Sequence, residues 1–255
     1  MFSATLPAIE QIERRLAKRY ADRLVRFTRF RPLVPLAVIV VVGGLLVAWF
    51  GHQFLELAEA LRANNPKLQD FDTLAHAWAV SKRTPAETAF FKVMTTIGGP
   101  MGMAAIAGIV SIVLIVLKRF RWLAYLVITA GGGALLDWEL KRYFARARPA
   151  LADMLLRASG YSFPSGHAMG STVVLLALSY LATRTATQWR WKAACLALAW
   201  TLIAAVSLSR VYLGAHWMSD VAAGIAAGAL WTGLTTISYE TVRRIQTLRA
   251  RQSAG

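Results

Sequence analysis

Six long apolar segments dominate this 255-residue sequence and restrict what it can fold into. Most are close to the roughly 20 residues that an α-helix needs to cross the hydrocarbon core of a bilayer. Lipid offers the backbone no hydrogen-bond partners, so such segments fold as helices. The segments cover approximately residues 33–51, 93–117, 121–138, 167–183, 193–209 and 215–238. The sequence therefore predicts an all-α integral membrane protein with a bundle of six transmembrane helices over residues 33–238.

The composition agrees with a membrane protein and argues against several other classes. Hydrophobic residues make up 56% of the chain and charged residues 16%, whereas charged residues are about 25% of an ordinary soluble domain. The net charge of +16 is concentrated in short segments beside the apolar runs. This pattern favours anionic lipid as a partner over nucleic acid. The single cysteine, Cys195, excludes an intrachain disulfide and a cysteine-based metal site.

Basic residues set the expected orientation. Eighteen of the 29 Lys and Arg residues lie before the first apolar run, in 118–121, in 184–192 and after 239, which are alternate connections. By the positive-inside rule these segments face the cytoplasm, so both termini are expected inside. We expect a multi-pass protein of a bacterial inner membrane.

The two ends of the chain differ from the apolar core. Residues 7–30 place apolar side chains at helical spacing among arginines and lysines. This pattern predicts an amphipathic helix on an anionic membrane surface, within a cytoplasmic segment over residues 1–32. A solvated helix or an oligomer contact is the alternative. Residues 239–255 are expected to form a basic cytoplasmic tail.

The longest extracytoplasmic connection is predicted over residues 52–92. It carries helical patterns around 54–62 and 71–80, which Asn64, Asn65 and Pro66 separate. A lid, a substrate-entry rim and a plain connector are all compatible with it. Gly98 and Gly99, before Pro100, predict a break near the start of the second span. In the third span, the glycines of 131–133 indicate close helix packing rather than a binding site.

A cluster of basic residues follows the third apolar run, in the sequence DWELKRYFARARP. It lies on the expected outer side, where the positive-inside rule predicts few basic residues. The cluster therefore indicates a site that needs positive charge. Lys141 and Arg148 are seven residues apart and would share one side of a helix that continues the third span. Arg142 and Arg146 are expected to point elsewhere, solvated or bound to headgroups.

A second polar segment, YSFPSGHAMGS, directly precedes the fourth apolar run. Pro164, Ser165 and Gly166 predict a helix start, where free backbone N–H groups and the helix dipole favour an anion. Taken alone, the same residues are also an ordinary helix entry. His167 alone fits an interfacial histidine as well as a catalytic one.

The third polar segment, SRVYLGAHWMSD, joins the fifth and sixth apolar runs over residues 209–220. On a helix that starts near Gly214, His216 and Asp220 are four residues apart and share one face. Arg210 reaches the same place only if the chain turns, and Gly214 is the residue suited to that turn. A polar turn without chemistry is the alternative for these residues alone.

All three segments are expected on the outer side, because the number of intervening spans places them there. Together they offer three cations, helix-start amides, two histidines and one carboxylate. A divalent metal ion would need more oxygen or nitrogen ligands and less positive charge. A phosphate near −2 fits the cluster, so we expect no metal and no cofactor.

The three segments resemble the motifs of the type 2 phosphatidate phosphatase family, membrane lipid phosphatases related to vanadium haloperoxidases and bacterial acid phosphatases. KxxxxxxRP is complete over 141–149, PSGH over 164–167 and SRxxxxxHxxxD over 209–220. The resemblance covers roughly residues 70–238.

By position, the resemblance implies a role for each matched residue. His216 would be the nucleophile that forms a phosphohistidine, Asp220 would orient its ring, and His167 would protonate the leaving alkoxide. The implied phosphate ligands are Lys141, Arg148, Ser165, Gly166 through its backbone, and Arg210.

The expected function is therefore a metal-independent phosphatase acting on a phosphorylated membrane lipid. Phosphatidate, phosphatidylglycerophosphate and polyprenyl diphosphates are all compatible with a site at headgroup depth. A lipid phosphotransferase using the same phosphohistidine is one alternative, and a non-catalytic transporter of anionic lipids is another. The sequence indicates neither which lipid is the substrate nor the oligomeric state.

Overall fold

A computed structural model describes residues 34–253, in which helices and their connections make up the whole fold. The all-α prediction is confirmed. A short 3-10 turn, Leu151–Asp153, lies in the long connection between the fifth and sixth helices. The α-helices in the described residues are α1 (Val34–Arg62), α2 (Pro66–Ser81), α3 (Pro85–Ile97), α4 (Pro100–Val116), α5 (Phe120–Phe144), α6 (Gly166–Thr185), α7 (Trp189–Tyr212) and α8 (Met218–Gln252).

Five of these helices, α1, α5, α6, α7 and α8, are long and apolar enough to cross a membrane. The pair α3 and α4 gives a sixth span if it is counted as one helix bent by 50°. The bend lies at Gly98 and Gly99, where the sequence predicts a break. A Cβ at Gly98 would overlap the Val206 side chain of α7, so glycine allows α3 to approach α7 closely.

The first and last spans are longer than the apolar pattern predicts. Helix α1 continues to Arg62, so the helical pattern of 54–62 is the end of this helix. Asn65 then caps α2, because its side chain accepts a hydrogen bond from the Lys67 backbone N–H at 3.0 Å. Helix α8 continues to Gln252, through most of the predicted tail. The predicted N-terminal amphipathic helix lies outside the described residues.

The chain divides into two compact units. The larger, Gly44–Tyr239, contains all three polar segments. The smaller combines the two ends of the chain and is described over residues 34–43 and 240–253. In it, Glu240 is buried and accepts a hydrogen bond from Arg243 Nε at 2.8 Å.

Helix α6 is the most buried long helix of the larger unit and packs against α5 and α7. Small residues make this packing close. A Cβ at Gly132 would overlap the Trp231 ring of α8, and one at Gly133 would lie 2.9 Å from Val173 Cγ1 of α6. The glycines at 132 and 133 therefore serve helix packing, as predicted. Apolar side chains remain exposed on α1, α4 and α5, on surfaces suited to lipid.

Candidate active site

The connection between α7 and α8 turns back sharply and buries His216. Gly214 has φ +74°, a conformation that favours glycine, and the backbone N–H groups of Ala215 and His216 both donate to Arg210 O, at 3.0 and 3.2 Å. The predicted turn at Gly214 is therefore confirmed. The predicted helix start is wrong, because α8 begins at Met218 and His216 lies in the connection before it.

Asp220 defines where α8 begins. It is the third residue of the helix, and its Oδ2 accepts a hydrogen bond from the Trp217 backbone N–H at 2.9 Å. An acidic side chain that reaches back to the residue before the helix satisfies one of the free donors at the helix start. Asp220 Oδ2 also accepts a hydrogen bond from the Ser162 hydroxyl, and the Asp220 side chain is completely buried.

The same carboxylate faces the imidazole of His216. His216 Nδ1 lies 3.5 Å from Asp220 Oδ2, and the two side chains are 2% and 0% exposed. At this distance the contact is electrostatic, and Nδ1 makes no hydrogen bond among the described residues. The pair thus forms through the helix cap, although the two residues do not share a helical face.

Arg148 contacts the other ring nitrogen. Its Nη1 lies 2.9 Å from His216 Nε2 and donates to Ala215 O at 2.7 Å, while three further carbonyls, of Ser159, Gly160 and Tyr161, hold the rest of the guanidinium. A guanidinium only donates hydrogen bonds, so Nε2 must accept and Nδ1 carries the proton. The ring therefore presents its lone pair on Nε2, beside a fixed cation.

The pKa of His216 favours the same neutral form. Burial of the imidazole lowers its pKa from 6.5 to about 4, and Arg148 and Arg210 act in the same direction, against Asp220. The ring is therefore uncharged at neutral pH. Burial also lowers the pKa of Arg148, but that group remains cationic.

Arg148 does not lie on a continuation of α5, which contradicts the helical argument for its pairing with Lys141. Helix α5 ends at Phe144, and Ala145 has φ +46°. Arg148 precedes Pro149, and the residue before a proline disfavours helical backbone. The side chain reaches the site from an irregular connection instead.

Lys141 lies beside the start of α6. Its Nζ donates to Asp137 Oδ1 at 2.5 Å and to Pro164 O at 2.9 Å. A Cβ at Gly166 would lie 2.8 Å from Lys141 Nζ and 2.9 Å from Asp137 Oδ2. Glycine at 166 therefore leaves room for the lysine at the N-terminus of α6.

Ser165 and His167 flank that helix start. Ser165 is buried, its backbone N–H donates to Asp220 O at 2.9 Å, and its hydroxyl has no hydrogen-bond partner among the described residues. His167 is half-buried, and its ring lies within reach of the positive charges of three side chains, Arg210, Lys141 and Arg148.

Arg210 is the last basic residue of α7 and is 4% exposed. Its Nη1 donates to the Thr95 hydroxyl of α3, whereas its Nε has no hydrogen-bond partner in the described part of the chain. A buried guanidinium with a free donor is costly unless an acceptor reaches it. Arg210 and Ser165 thus leave two unused donors in the same site.

The structure brings the eight residues singled out in the sequence together at one end of α5, α6, α7 and α8. Their catalytic and binding roles stay a prediction. The structure also adds residues that sequence reasoning missed. Thr95, Asp137, Arg146 and Ser162 each contact one of the eight, and Asp72 pairs with Arg146.

Arg146 is the clearest difference from expectation. The sequence predicts a solvated or headgroup-bound side chain, and the structure shows this to be wrong. The Arg146 side chain is 13% exposed and its Nη1 donates to Asp220 Oδ1 at 2.6 Å. Arg142 is exposed, as expected, and its guanidinium lies 4.4 Å from the centre of the Trp138 ring.

An apolar groove of about 460 Å³ opens between α4, α5 and α6. Alanine and glycine line most of it, including Ala104, Ala134 and Gly170. At one end it reaches Asp137 and Gly166, which adjoin Lys141. The groove therefore joins the polar site to the apolar surface of the bundle.

Comparisons with known proteins agree on one family. The PAP2 superfamily model matches residues 121–244. Phosphatidylglycerophosphatase B of Bacillus subtilis is 28% identical over 194 residues, which are 76% of this chain and 94% of that protein. The decaprenylphosphoryl-5-phosphoribose phosphatase of Mycobacterium tuberculosis is 34% identical over 119 residues, 44% of this chain and 58% of that one.

A solved structure is similar over most of the fold. The crystal structure of a transmembrane PAP2 type phosphatidylglycerolphosphate phosphatase from Bacillus subtilis has a TM-score of 0.70 at 26% identity, covering 77% of this chain and 96% of that one. With its long apolar helices, this chain is a multi-pass membrane protein. The three motifs and these matches show that it belongs to the type 2 phosphatidate phosphatase, or PAP2, superfamily.

Proposed function

We propose that this protein is an integral membrane lipid phosphatase that forms a phosphohistidine on His216. The observation that carries the proposal is the environment of the His216 ring. Nε2 faces Arg148 Nη1 at 2.9 Å, and Nδ1 faces Asp220 Oδ2 at 3.5 Å. This arrangement directs a neutral nitrogen lone pair toward a cation that binds phosphate well.

The phosphate would be bound by donors that surround this nitrogen. Arg148 would turn an N–H from Nε2 to a phosphate oxygen, and Lys141 would contribute a second positive charge. The free Ser165 hydroxyl and Arg210 Nε are buried donors that phosphate oxygens would satisfy. Gly166 would add its backbone N–H at the start of α6.

The reaction would proceed in two displacements. In the first, His216 Nε2 attacks phosphorus and the bond to the lipid oxygen breaks. His167, protonated once the negative phosphate offsets the surrounding cations, donates its proton to the departing alkoxide. Asp220 stabilises the positive phosphorylated ring. In the second, a water molecule loses a proton to His167 and attacks phosphorus, which releases inorganic phosphate and restores neutral His216. The fixed cations stabilise the charge on phosphorus in both steps.

The apolar groove supports a lipid substrate. A phosphate held beside Lys141 and Gly166 would leave its lipid tail next to the groove between α4, α5 and α6. The names of the relatives give phosphatidylglycerophosphate and polyprenyl-linked phosphates as classes to test first. We propose that the substrate is a lipid phosphate or diphosphate of this kind.

For the location, we propose a bacterial inner membrane, with both termini in the cytoplasm and the site on the periplasmic face. The distribution of Lys and Arg residues supports this orientation. Reporter fusions at residue 255 test it: a fused green fluorescent protein should fluoresce and a fused alkaline phosphatase should be inactive. The reverse result would contradict the orientation.

The function is tested by phosphate release from purified protein in detergent micelles. Phosphatidate, phosphatidylglycerophosphate and a polyprenyl diphosphate are compared, with EDTA present and without a lipid acceptor. We expect turnover of at least one of them and its loss in His216→Ala. His52→Ala is the control, because His52 is exposed on α1. Turnover only with a lipid acceptor would indicate a phosphotransferase, and strict dependence on added Mg²⁺ would contradict the metal-free scheme.

A further inference from the structure

We propose that Asp72 and Arg146 are positioning residues that hold Asp220 in the orientation in which it faces His216; this inference rests on the function proposed above. Asp72 lies on α2, outside the residues that the family model matches. Arg146 lies in the irregular connection that follows α5. Neither residue is assigned a contact with the phosphate.

The contacts form one continuous chain from α2 to the nucleophile. Arg146 Nη2 donates to Asp72 Oδ2 at 2.7 Å, and Arg146 Nη1 donates to Asp220 Oδ1 at 2.6 Å. Asp72 Oδ1 accepts a second bond from the backbone N–H of Ser219 at 2.9 Å. Asp72 therefore contacts both Arg146 and the residue next to Asp220.

Burial makes the ion pairs of Arg146 with Asp72 and Asp220 important for the two carboxylates. Asp72 is 1% exposed and Asp220 is fully buried, so each carboxylate depends on a nearby cation. Arg146 lies between them and pairs with both. Without the charge of Arg146, the buried carboxylates of Asp72 and Asp220 would repel each other, because Asp72 is hydrogen-bonded to Ser219, the residue next to Asp220.

The geometry assigns Asp72 a more specific task than charge balance. It occupies Nη2 of Arg146 and so fixes the rotation of the guanidinium, which directs Nη1 to Oδ1 of Asp220. The other oxygen, Oδ2, is then left for the Ser162 hydroxyl, the Trp217 N–H and His216 Nδ1. The pair thereby sets which oxygen of Asp220 faces the nucleophile.

A second contact fixes α2 against the same connection. His76, one turn after Asp72, places its ring 5.6 Å from the Trp217 ring, and its Nε2 lies 3.1 Å from Asp153 Oδ2. The guanidinium of Arg146 lies 5.6 Å from the same Trp217 ring. Helix α2 is therefore more than a plain connector, because Asp72 and His76, on one face of it, support the connection that contains His216.

The first test compares Asp72→Asn with Asp70→Asn. Both remove one carboxylate from α2, but Asp70 is exposed. Asparagine at 72 keeps an acceptor for Ser219, while its amide group opposes Arg146 Nη2. We expect kcat to fall about tenfold with KM within about twofold, because orientation is lost and the phosphate ligands are untouched. Asp70→Asn should match the wild type.

The second test is a double-mutant cycle with Arg146→Gln. If Asp72 acts through Arg146, adding Asp72→Asn to Arg146→Gln should change kcat by less than about twofold. Thermal melting in detergent establishes that each variant is folded. If Arg146→Gln does not fold, Arg146→Lys replaces it, since lysine keeps the charge but loses the two-armed geometry. Independent, multiplying losses in kcat would overturn the proposal.

The outcomes separate this inference from the function on which it rests. An inactive wild type, or an active His216→Ala variant, contradicts the proposed function. An active wild type in which Asp72→Asn has the kinetics of Asp70→Asn overturns the positioning role alone. A rise in KM with unchanged kcat would overturn it too, because it would place Asp72 in substrate binding.

Discussion

Arg148 and His216 are joined at 2.9 Å through Nη1 and Nε2, so the nitrogen proposed to attack phosphorus is held beside a cation. Four backbone carbonyls hold that guanidinium in place. A cation bound this firmly loses little freedom when an anion arrives. The relationship links the first motif, which contains Arg148, to the third, which contains His216.

Replacing Arg148 should therefore damage both binding and chemistry. We expect Arg148→Ala to lower kcat/KM by about 100-fold or more, because a preorganised donor to the reacting phosphate is lost. Arg142→Ala is the matched control, since Arg142 belongs to the same basic cluster but is exposed. Steady-state kinetics of phosphate release measure both. Equal losses in the two variants would show that only the charge of the cluster matters.

The lowered pKa of His216 predicts a pH dependence of stability. The folded pKa is about 4, below the roughly 6.5 of an unfolded chain. Between these values the unfolded state binds more protons, so protonation favours unfolding and stability falls as pH drops from about 6.5 to 4. The fall in melting temperature should be smaller in His216→Gln than in the wild type. Parallel falls would contradict the pKa assigned to this ring.

Gly166→Ala should weaken phosphate binding. The added Cβ would lie 2.8 Å from Lys141 Nζ, so the lysine must move away from the start of α6. We expect KM to rise about tenfold, the cost of one charge-assisted hydrogen bond. Gly108→Ala on α4 has nothing within 4 Å of its Cβ and should leave KM unchanged. An unchanged KM in Gly166→Ala would argue against Lys141 as a phosphate ligand.

Filling the apolar groove should affect lipid substrates selectively. Ala104 lines the groove, whereas its neighbour Ala105 is exposed on the same helix and does not line it. We expect Ala104→Phe to raise KM for the lipid about tenfold, because apolar contact with the tail is lost. Its activity on a small soluble phosphate monoester should be unchanged, and Ala105→Phe should affect neither substrate. Equal effects on both substrates would contradict a groove for the lipid tail.

The sequence predicted the helical class, the break at Gly98 and the turn at Gly214, because apolar length and glycine placement are local signals. It misplaced the start of α8, although the signal was present. An acid three residues after Trp217 is the pattern of a helix cap. Extending helical spacing to Arg148 likewise overlooked Pro149, which disfavours helix at the residue before it.

The support of Asp220 could not be read from the sequence. Asp72 and Arg146 are 74 residues apart, and their contact depends on how α2 packs against the start of α8. Arg142, Arg146 and Arg148 are alike in type and spacing. In the structure, however, Arg142 is exposed, Arg146 binds the Asp220 carboxylate and Arg148 contacts His216. Only tertiary structure separates these three roles.

The most direct test of the central claim is to trap the phosphoenzyme. The protein is mixed with lipid carrying radiolabelled phosphate, quenched in alkali and digested with trypsin, and the labelled peptides are identified. We expect acid-labile label on the peptide 211–243, in which His216 is the one histidine. The label should be absent from His216→Ala and present in His52→Ala. Label on the peptide that contains His167, or label that persists in His216→Ala, would contradict the assignment of the nucleophile.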